Sequence, residues 1–555
     1  MSIGDISNLF GFLGGLGMFL YGMHIMADGM QKTAGGRMSK FLGMLTNNRL
    51  MAIGLGALIT AIIQSSGATT VMVVGFVSAG ILNLTQAVGV IMGANIGTTI
   101  TAWIVSMSQL GEAMELFSPD FYAPLIIGVG ALVFLFARSP QKKTAGEIAI
   151  GLGLLFKGLD FMSGSISPYT DLPVFADAFA LFGRNPVLGM IVGMLVTALL
   201  QSSSASVGIL QTLALNGVVT KSSAIYITLG QNIGSCVTAL LSSVGGSRTA
   251  KRAAVIHLSF NLIGAVLFGV GGFALFSVRR EFAASHISAV EISLFHTFFN
   301  LVMTAVLYPS ADYLVKLSGV LVRGEDETQQ TTDEEASTLR HLDERIFESP
   351  AFAVEVASME IVHMGQYAEK NVSVALEALI SGSTDKIQEV YEREKKISHM
   401  EQMLTEYLIK VENLSLNGRQ KKTVTNLFYS ASDIARVSGH AENLADLAQY
   451  LQEHGLEISP VGKADLNSIS ACALQSFACA IEARQSGGMD LVRRVSQYED
   501  EVDSQEEELR EKHIERLAAG ECTASAGVVF LDILSNLERI SDHAYNLAGY
   551  VKSEM

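Results

Sequence analysis

A polar cluster set inside apolar sequence occurs twice in this chain. Each copy is followed, at the same distance, by a second polar motif. The first copy reads Thr60-Ala61-Ile62-Ile63-Gln64-Ser65-Ser66-Gly67-Ala68 and the second Thr197-Ala198-Leu199-Leu200-Gln201-Ser202-Ser203-Ser204-Ala205. An Asn follows each Gln by 31 residues, in Gly93-Ala94-Asn95-Ile96-Gly97-Thr98-Thr99 and in Gly230-Gln231-Asn232-Ile233-Gly234-Ser235; the two copies are offset by 137 residues. Upstream, Gly17-Met18-Phe19-Leu20-Tyr21-Gly22 is echoed by Gly153-Leu154-Leu155-Phe156-Lys157-Gly158 at an offset of 136, so one residue is inserted between these elements. Such a duplication restricts the fold to two related halves and is the mark of a transporter with its substrate between them.

The chain changes solvent near residue 320. Residues 1–320 hold 16 Lys and Arg against 12 Asp and Glu, the remainder 22 against 42, within a formal net charge of −16. The first part contains long uncharged runs, and a spanning helix needs about 20 apolar residues. Spans are predicted at about 8–27, 86–106, 122–137, 147–162, 222–244, 253–275 and 290–308. Segments 50–82 and 186–218 are also apolar, but the Gln-Ser-Ser clusters divide them into arms of about 13 to 15 residues. These arms are too short to cross, so each pair is predicted to be a re-entrant hairpin facing protein or a polar cavity. Loops 28–49, 138–143 and 245–252 and the stretch beyond the last span are basic, whereas 107–121 and 163–185 are acidic. The positive-inside rule places the basic loops in the cytoplasm. With 28–49 and 163–185 on opposite sides, the repeats, about 8–137 and 147–275, are inverted. No removable signal peptide is predicted at the N-terminus.

Hydroxyls, amides and exposed backbone groups can donate to an oxyanion or supply oxygens to a small cation. A broken helix adds N-terminal amides for an anion. The clusters contain no Arg or Lys, so a bound anion would need a co-bound cation. Close packing is the other reading of Ser and Gly in membrane helices, but a duplicated cluster with a duplicated partner points to a site. A smaller echo, His257-Leu258-Ser259-Phe260-Asn261 and His296-Thr297-Phe298-Phe299-Asn300, puts His and Asn on one helix face, for coupling or for packing.

Together the paired Gln-Ser-Ser clusters, the Asn-Ile-Gly motifs and the His-x-x-Phe-Asn segments resemble the type II sodium/phosphate cotransporter family over about residues 8–310. The resemblance implies sodium-coupled symport of inorganic phosphate across the cytoplasmic (inner) membrane, by alternating access. Carried over by position, the phosphate and sodium ligands are Gln64, Ser65, Ser66, Gln201, Ser202 and Ser203, with Asn95, Thr98, Asn232 and Ser235 nearby. Gly67 stands where the second copy has Ser204, so the halves need not contribute equally. The same fold running as a phosphate exporter, or a membrane-anchored phosphate sensor, remains an alternative.

The acidic part is expected to be cytosolic: a linker over 319–338, then a soluble helical domain over 339–555. Apolar periodicity broken near 417–421, 454–463 and 486–488 predicts about six helices in two three-helix bundles. Within it Ala435-Arg436-Val437-Ser438-Gly439-His440-Ala441-Glu442-Asn443-Leu444-Ala445 is repeated as Glu538-Arg539-Ile540-Ser541-Asp542-His543-Ala544-Tyr545-Asn546-Leu547-Ala548, at an offset of 103. These segments, with Leu342-Asp343-Glu344-Arg345, resemble PhoU-type regulatory domains, which can hold metal between carboxylates of adjacent helices. Glu499, Asp503, Glu538 and Asp542 would then hold a divalent metal or iron; solvated acidic faces are the equal alternative. The fold class expected is therefore all-α: a transport domain over 1–318, then the soluble bundles. No phosphate-binding Gly loop and no nucleophile triad is found, so no enzyme is expected, and the acidic charge argues against nucleic acid. Expected partners are phosphate, sodium, membrane lipid, cytosolic phosphate-signalling proteins and, as an open alternative, a second copy of the chain.

Overall fold

The computed structural model describes residues 3–43, 48–107, 119–170, 172–323, 342–381 and 383–554. Glu112, Glu115, Asp171 and most of the expected linker lie outside these residues, as do the side chains of Arg37, Lys40 and Asp120. The described residues are almost entirely helical, with one isolated bridge between Thr220 and His286. Two compact units form: one runs to the end of the apolar part and takes in Asp343–Phe352, and the other contains the chain from Ala353 onward.

In the first unit, α1 (Ile3–Gly43) precedes α2 (Arg49–Ile63), α3 (Ser66–Ser78), α4 (Leu84–Ser106) and α5 (Pro119–Phe136). The second half repeats this order as α6 (Pro140–Ile166), α7 (Pro173–Arg184), α8 (Pro186–Leu200), α9 (Ser203–Leu215), α10 (Lys221–Gly234), α11 (Cys236–Ser243) and α12 (Arg248–Val278). The short α13 (Arg280–Ala284), then α14 (Ala289–Leu307) and α15 (Ala311–Leu321), complete the unit. The divided segments have the arm lengths read from the sequence, 15 and 13 residues in both copies. Short polar side chains set the helix starts. Asn83 and Gln86 form a capping box on α4, and Thr220 and Ser223 form its counterpart on α10.

Among the described residues six helices are long and apolar enough to cross a membrane: those beginning at Ile3, Leu84, Pro140, Lys221, Arg248 and Ala289, with Lys221–Ser243 counted as one. The seventh expected span, 122–137, is a helix with Pro124 inside it that ranks with the shorter apolar helices. Two expected loops are helical instead. Residues 28–43 continue α1, where Lys32 pairs with Asp28 at 2.8 Å and with Glu147 at 3.0 Å. Within 163–185, Pro173 starts α7, which buries Phe179 in an apolar core with Val207, Leu210 and Ile227. The chain then turns by 113° into α8. Burying apolar side chains against the second repeat is what makes α7 a helix where charge counting predicted a loop. Along α8, Val187, Ile191, Leu195 and Leu199 are exposed at four-residue steps, a stripe suited to lipid.

Backbone contact holds the repeated elements. A side-chain carbon added at Gly93 would collide with the Ile53 carbonyl, one at Gly56 with that of Val90, and one at Gly97 would lie 2.5 Å from the Ala57 oxygen. In the second half Gly230 meets the Met190 carbonyl, Gly193 that of Ile227, and Gly234 lies 2.6 Å from that of Met194 on the same measure. Every residue in the second set is its first-half counterpart plus 137, so the repeat in sequence is a repeat in packing. One layer is exchanged. Gly89 faces Ala52 in the first half, whereas the small residue is Gly189 and the large one Tyr226 in the second.

The equivalent helices α1 and α6 also meet at glycines, Gly15 against Gly158 and Gly22 against Gly151. As one number rises the other falls, so these equivalents cross antiparallel. Reciprocal packing follows: α3 lies on α11 and α12 of the second half, and α9 lies on α4 of the first.

Gly93→Ala and Gly230→Ala are each expected to destabilise the protein by about 1–3 kcal/mol, because backbone cannot yield to the added carbon. Gly54→Ala, with open space around it, should melt no lower than wild type. Melting in detergent, followed by size-exclusion chromatography, checks both.

Candidate functional site

Each Gln-Ser-Ser cluster is a strained turn between two helices. Gln64 ends α2 at φ 57°, ψ 21°, and Gln201 ends α8 at φ 51°, ψ 23°. Among the described residues these are the two non-glycine residues with positive φ. The left-handed region costs an L-residue about 1–2 kcal/mol, and such strain collects at functional sites. The next residue then caps the following helix. Ser65 Oγ accepts from the Ala68 amide at 3.1 Å, and Ser202 Oγ from the Ala205 amide at 3.2 Å. Each turn therefore presents a helix N-terminus whose first amides have no intrahelical acceptor, a setting for an oxyanion.

The Asn-Ile-Gly motifs lie on the helices that the glycines hold against α2 and α8. Asn95 is buried, and its Oδ1 lies 3.1 Å from His257 Nε2 on α12. Asn232 is likewise 3.2 Å from His296 Nε2 on α14. The sequence placed each His with its own Asn four residues on. In the structure Asn261 and Asn300 instead donate back to the carbonyls of His257 and His296, at 3.1 and 2.9 Å, while the imidazoles reach the Asn-Ile-Gly motifs. Thr98 and Ser235 satisfy their hydroxyls locally, on the carbonyls of Ala94 and Asn232 at 3.2 and 2.7 Å.

The two turns are not in the same state. Gln64 is buried, its Oε1 accepts from Thr101 Oγ1 at 2.9 Å, and its amide nitrogen donates to the Ala61 carbonyl. Gln201 is exposed and has no side-chain hydrogen bond among the described residues. Gly67, where the second copy has Ser204, faces the second half: a side-chain carbon there would lie 3.2 Å from Thr238 Oγ1. Three further polar residues were missed by sequence reasoning. Thr101 holds Gln64. Gln211 bridges the halves from α9 to the carbonyls of Ala102 and Ala289, both at 3.1 Å, and to Ser293 Oγ at 2.8 Å. Gln231 donates to Ser206 Oγ at 2.9 Å. The available signal was the same in all three cases, a polar side chain inside an apolar helix.

Residues 18–164 and 173–305 match the Na+/Pi-cotransporter family, and 361–448 and 466–551 match the PhoU domain. The chain belongs to the Na+/Pi-cotransporter family. Among its relatives is YjbB of Salmonella typhimurium, named as a proposed inorganic phosphate export protein, 23% identical over 91% of this chain and 90% of that one. YqeW of Bacillus subtilis, an uncharacterised protein, is 30% identical over 55% of this chain and 95% of its own length. Human sodium-dependent phosphate transport protein 2B is 36% identical over 29% of this chain and 24% of its own. PhoU of Pseudomonas aeruginosa matches with a TM-score of 0.35 and 25% identity, covering 36% of this chain and 96% of that one. With six apolar helices of spanning length, this family member is a multi-pass membrane protein.

The PhoU region forms α16 (Pro350–Ser381), α17 (Thr384–Glu412), α18 (Gly418–Glu453), α19 (Pro460–Ser486), α20 (Met489–Ala518) and α21 (Ala524–Glu554). Its repeat is also reciprocal. His543 Nδ1 lies 2.9 Å from Asp433 Oδ1, and His440 Nδ1 lies 2.9 Å from Asn536 Oδ1, the residue at the position equivalent to Asp433.

The expected metal ligands lie near one another on α20 and α21. Among the described residues no group of three or more His, Cys, Asp or Glu gathers to hold an ion. Arg539 takes up two of the four carboxylates, lying 3.2 Å from Asp542 and 3.5 Å from Glu538. The set is nevertheless close enough to repel. Burial, then the charges of Asp503, Asp500, Asp542 and Glu538, raise the Glu499 carboxyl above its ordinary range, and similar causes raise Asp503 and Glu538.

Two outcomes follow. A raised carboxyl opposes folding wherever it is ionised, fully above its folded pKa and less as pH falls toward the unfolded value of 4.5. Glu499→Gln should therefore melt higher than wild type at pH 8, with the gain shrinking toward pH 5 (about the unfolded range). At the turn, Gln201→Gly removes the left-handed strain and should hold or raise stability by about 1 kcal/mol while abolishing phosphate flux. Paired melts and flux assays read both effects.

Proposed function

We propose that this protein moves inorganic phosphate across the cytoplasmic membrane by sodium-coupled symport, with alternating access to a site formed by the two Gln-Ser-Ser turns. The observation that carries the reading is the duplicated turn: a left-handed Gln followed by a Ser that caps a helix, present in both halves. Ser65, Ser66, Ser202 and Ser203 supply hydroxyls and helix-start amides to the phosphate oxygens. Gln64 and Gln201, with Asn95, Thr98, Asn232 and Ser235, supply amide and hydroxyl oxygens to sodium. No Lys or Arg stands in either cluster, so the co-bound cation offsets the anionic charge and couples the two movements. The antiparallel crossing of α1 and α6 supports an inverted repeat, because an axis that exchanges antiparallel helices lies across them. His257 and His296 position the Asn side chains.

The PhoU domain, for which the basic loops support a cytosolic location, regulates this flux. A second reading is favoured by one comparison: the relative matched across both regions carries a name for phosphate export. The same machinery run along the opposite gradient would perform it.

Radiolabelled phosphate uptake into proteoliposomes tests coupling, with and without an inward sodium gradient. Sodium-driven uptake in wild type, falling at least tenfold in Gln201→Ala and Ser202→Ala, is the expected result. Flux indifferent to sodium would reject symport; phosphate binding without flux would leave a sensor.

A further inference from the structure

The asymmetry between the two turns has a geometric partner. Gln64 is bonded to Thr101, 37 residues on, and the residue 37 after Gln201 is Thr238. The same pair of residues is thus present in both halves, but only the first pair is joined. Thr238 Oγ1 instead donates to the Ser235 carbonyl at 3.0 Å, and its side chain faces Gly67 of the first turn. The helices account for the difference. α4 runs unbroken from Leu84 to Ser106 and keeps Thr101 in register with Gln64, whereas its counterpart is interrupted at Ser235, between α10 and α11. That interruption lies three residues before Thr238.

We propose that Thr101 and Thr238 are alternating latches: one state joins Gln64 to Thr101 and frees Gln201, and the other joins Gln201 to Thr238 and frees Gln64. This inference rests on the alternating-access reading above. Two halves with the same packing can exchange conformations, so a contact seen in one half defines the contact its counterpart makes in the other state. The freed Gln is the one whose amide is available to the transported ions; the latched Gln has its Oε1 occupied by a threonine hydroxyl. Thr101 and Thr238 act through the two glutamines, as positioning residues. Gly67 and Ser204 make the two states unequal, since Thr238 faces Gly67 in this state and Thr101 would face the larger Ser204 in the other.

The test compares Thr101→Val, Thr238→Val and Thr238→Ser in the full chain, reconstituted in proteoliposomes. Phosphate exchange at equal concentrations on both sides is followed together with hydrogen exchange over residues 60–70 and 197–207. Loss of one buried hydrogen bond shifts a two-state balance on the order of fivefold. Thr238→Val should therefore slow phosphate exchange about fivefold, although Thr238 does not bond Gln201 in this structure, and Thr238→Ser should restore it. Thr101→Val should speed hydrogen exchange over 60–70, and Thr238→Val should slow it there. Wild-type flux in Thr238→Val, or a Thr238→Ser variant as slow as the Val variant, would overturn the latch. If wild-type transport ignores sodium, symport fails, but the opposed hydrogen-exchange shifts still report on the latch.

Discussion

The contacts on which this fold depends are between backbones. At Gly56, Gly93 and Gly97, and again at Gly193, Gly230 and Gly234, helix approaches helix so closely that a carbonyl oxygen occupies the place of a side chain. In a lipid environment association rests on such packing and on interhelical hydrogen bonds. The consequence is positional. These glycines clamp the helices that carry Asn95 and Asn232 against the helices that end in Gln64 and Gln201. The same clamp leaves the turns free to take a left-handed residue, because rigid helices on either side over-determine the strained backbone.

Strained backbone and unpaired buried groups both occur in the repeated elements. Beyond the turns, His257 Nδ1, Asn261 Oδ1, His296 Nδ1 and Asn300 Oδ1 are buried without partners, and so are Thr197 Oγ1 and Gln231 Oε1. A buried orphan group costs about 1–3 kcal/mol, so a fold selected for stability alone would not keep them in matched sets.

The transport unit also holds a piece of the chain that leads into the PhoU region. Ile346 is fully buried, Arg345 packs over Gly75 of α3, and Phe352 meets Phe76 edge-on at 5.4 Å. The segment thus sits on the helix whose first residues are Ser66 and Gly67.

Periodicity and duplication in the sequence determined a great deal: the all-α class, the two halves and their arm lengths, the broken helices, and the place where the soluble bundles begin to repeat. These properties are local, because a Gln-Ser-Ser cluster divides its apolar run into arms too short to span. Only tertiary structure decided which partner each polar group takes. His257 and Asn261 share a helix face by periodicity, yet the imidazole crosses to Asn95 while Asn261 turns back on its own helix, because the helix holding Asn95 packs there. The exchanged sizes at Ala52 with Gly89 and Gly189 with Tyr226 and the helix at 173–184 were settled the same way. Charge patterns and motif spacing specify which side chains are available. The distance between two helices, set here by the absence of a side chain at six glycines, specifies which of them can meet.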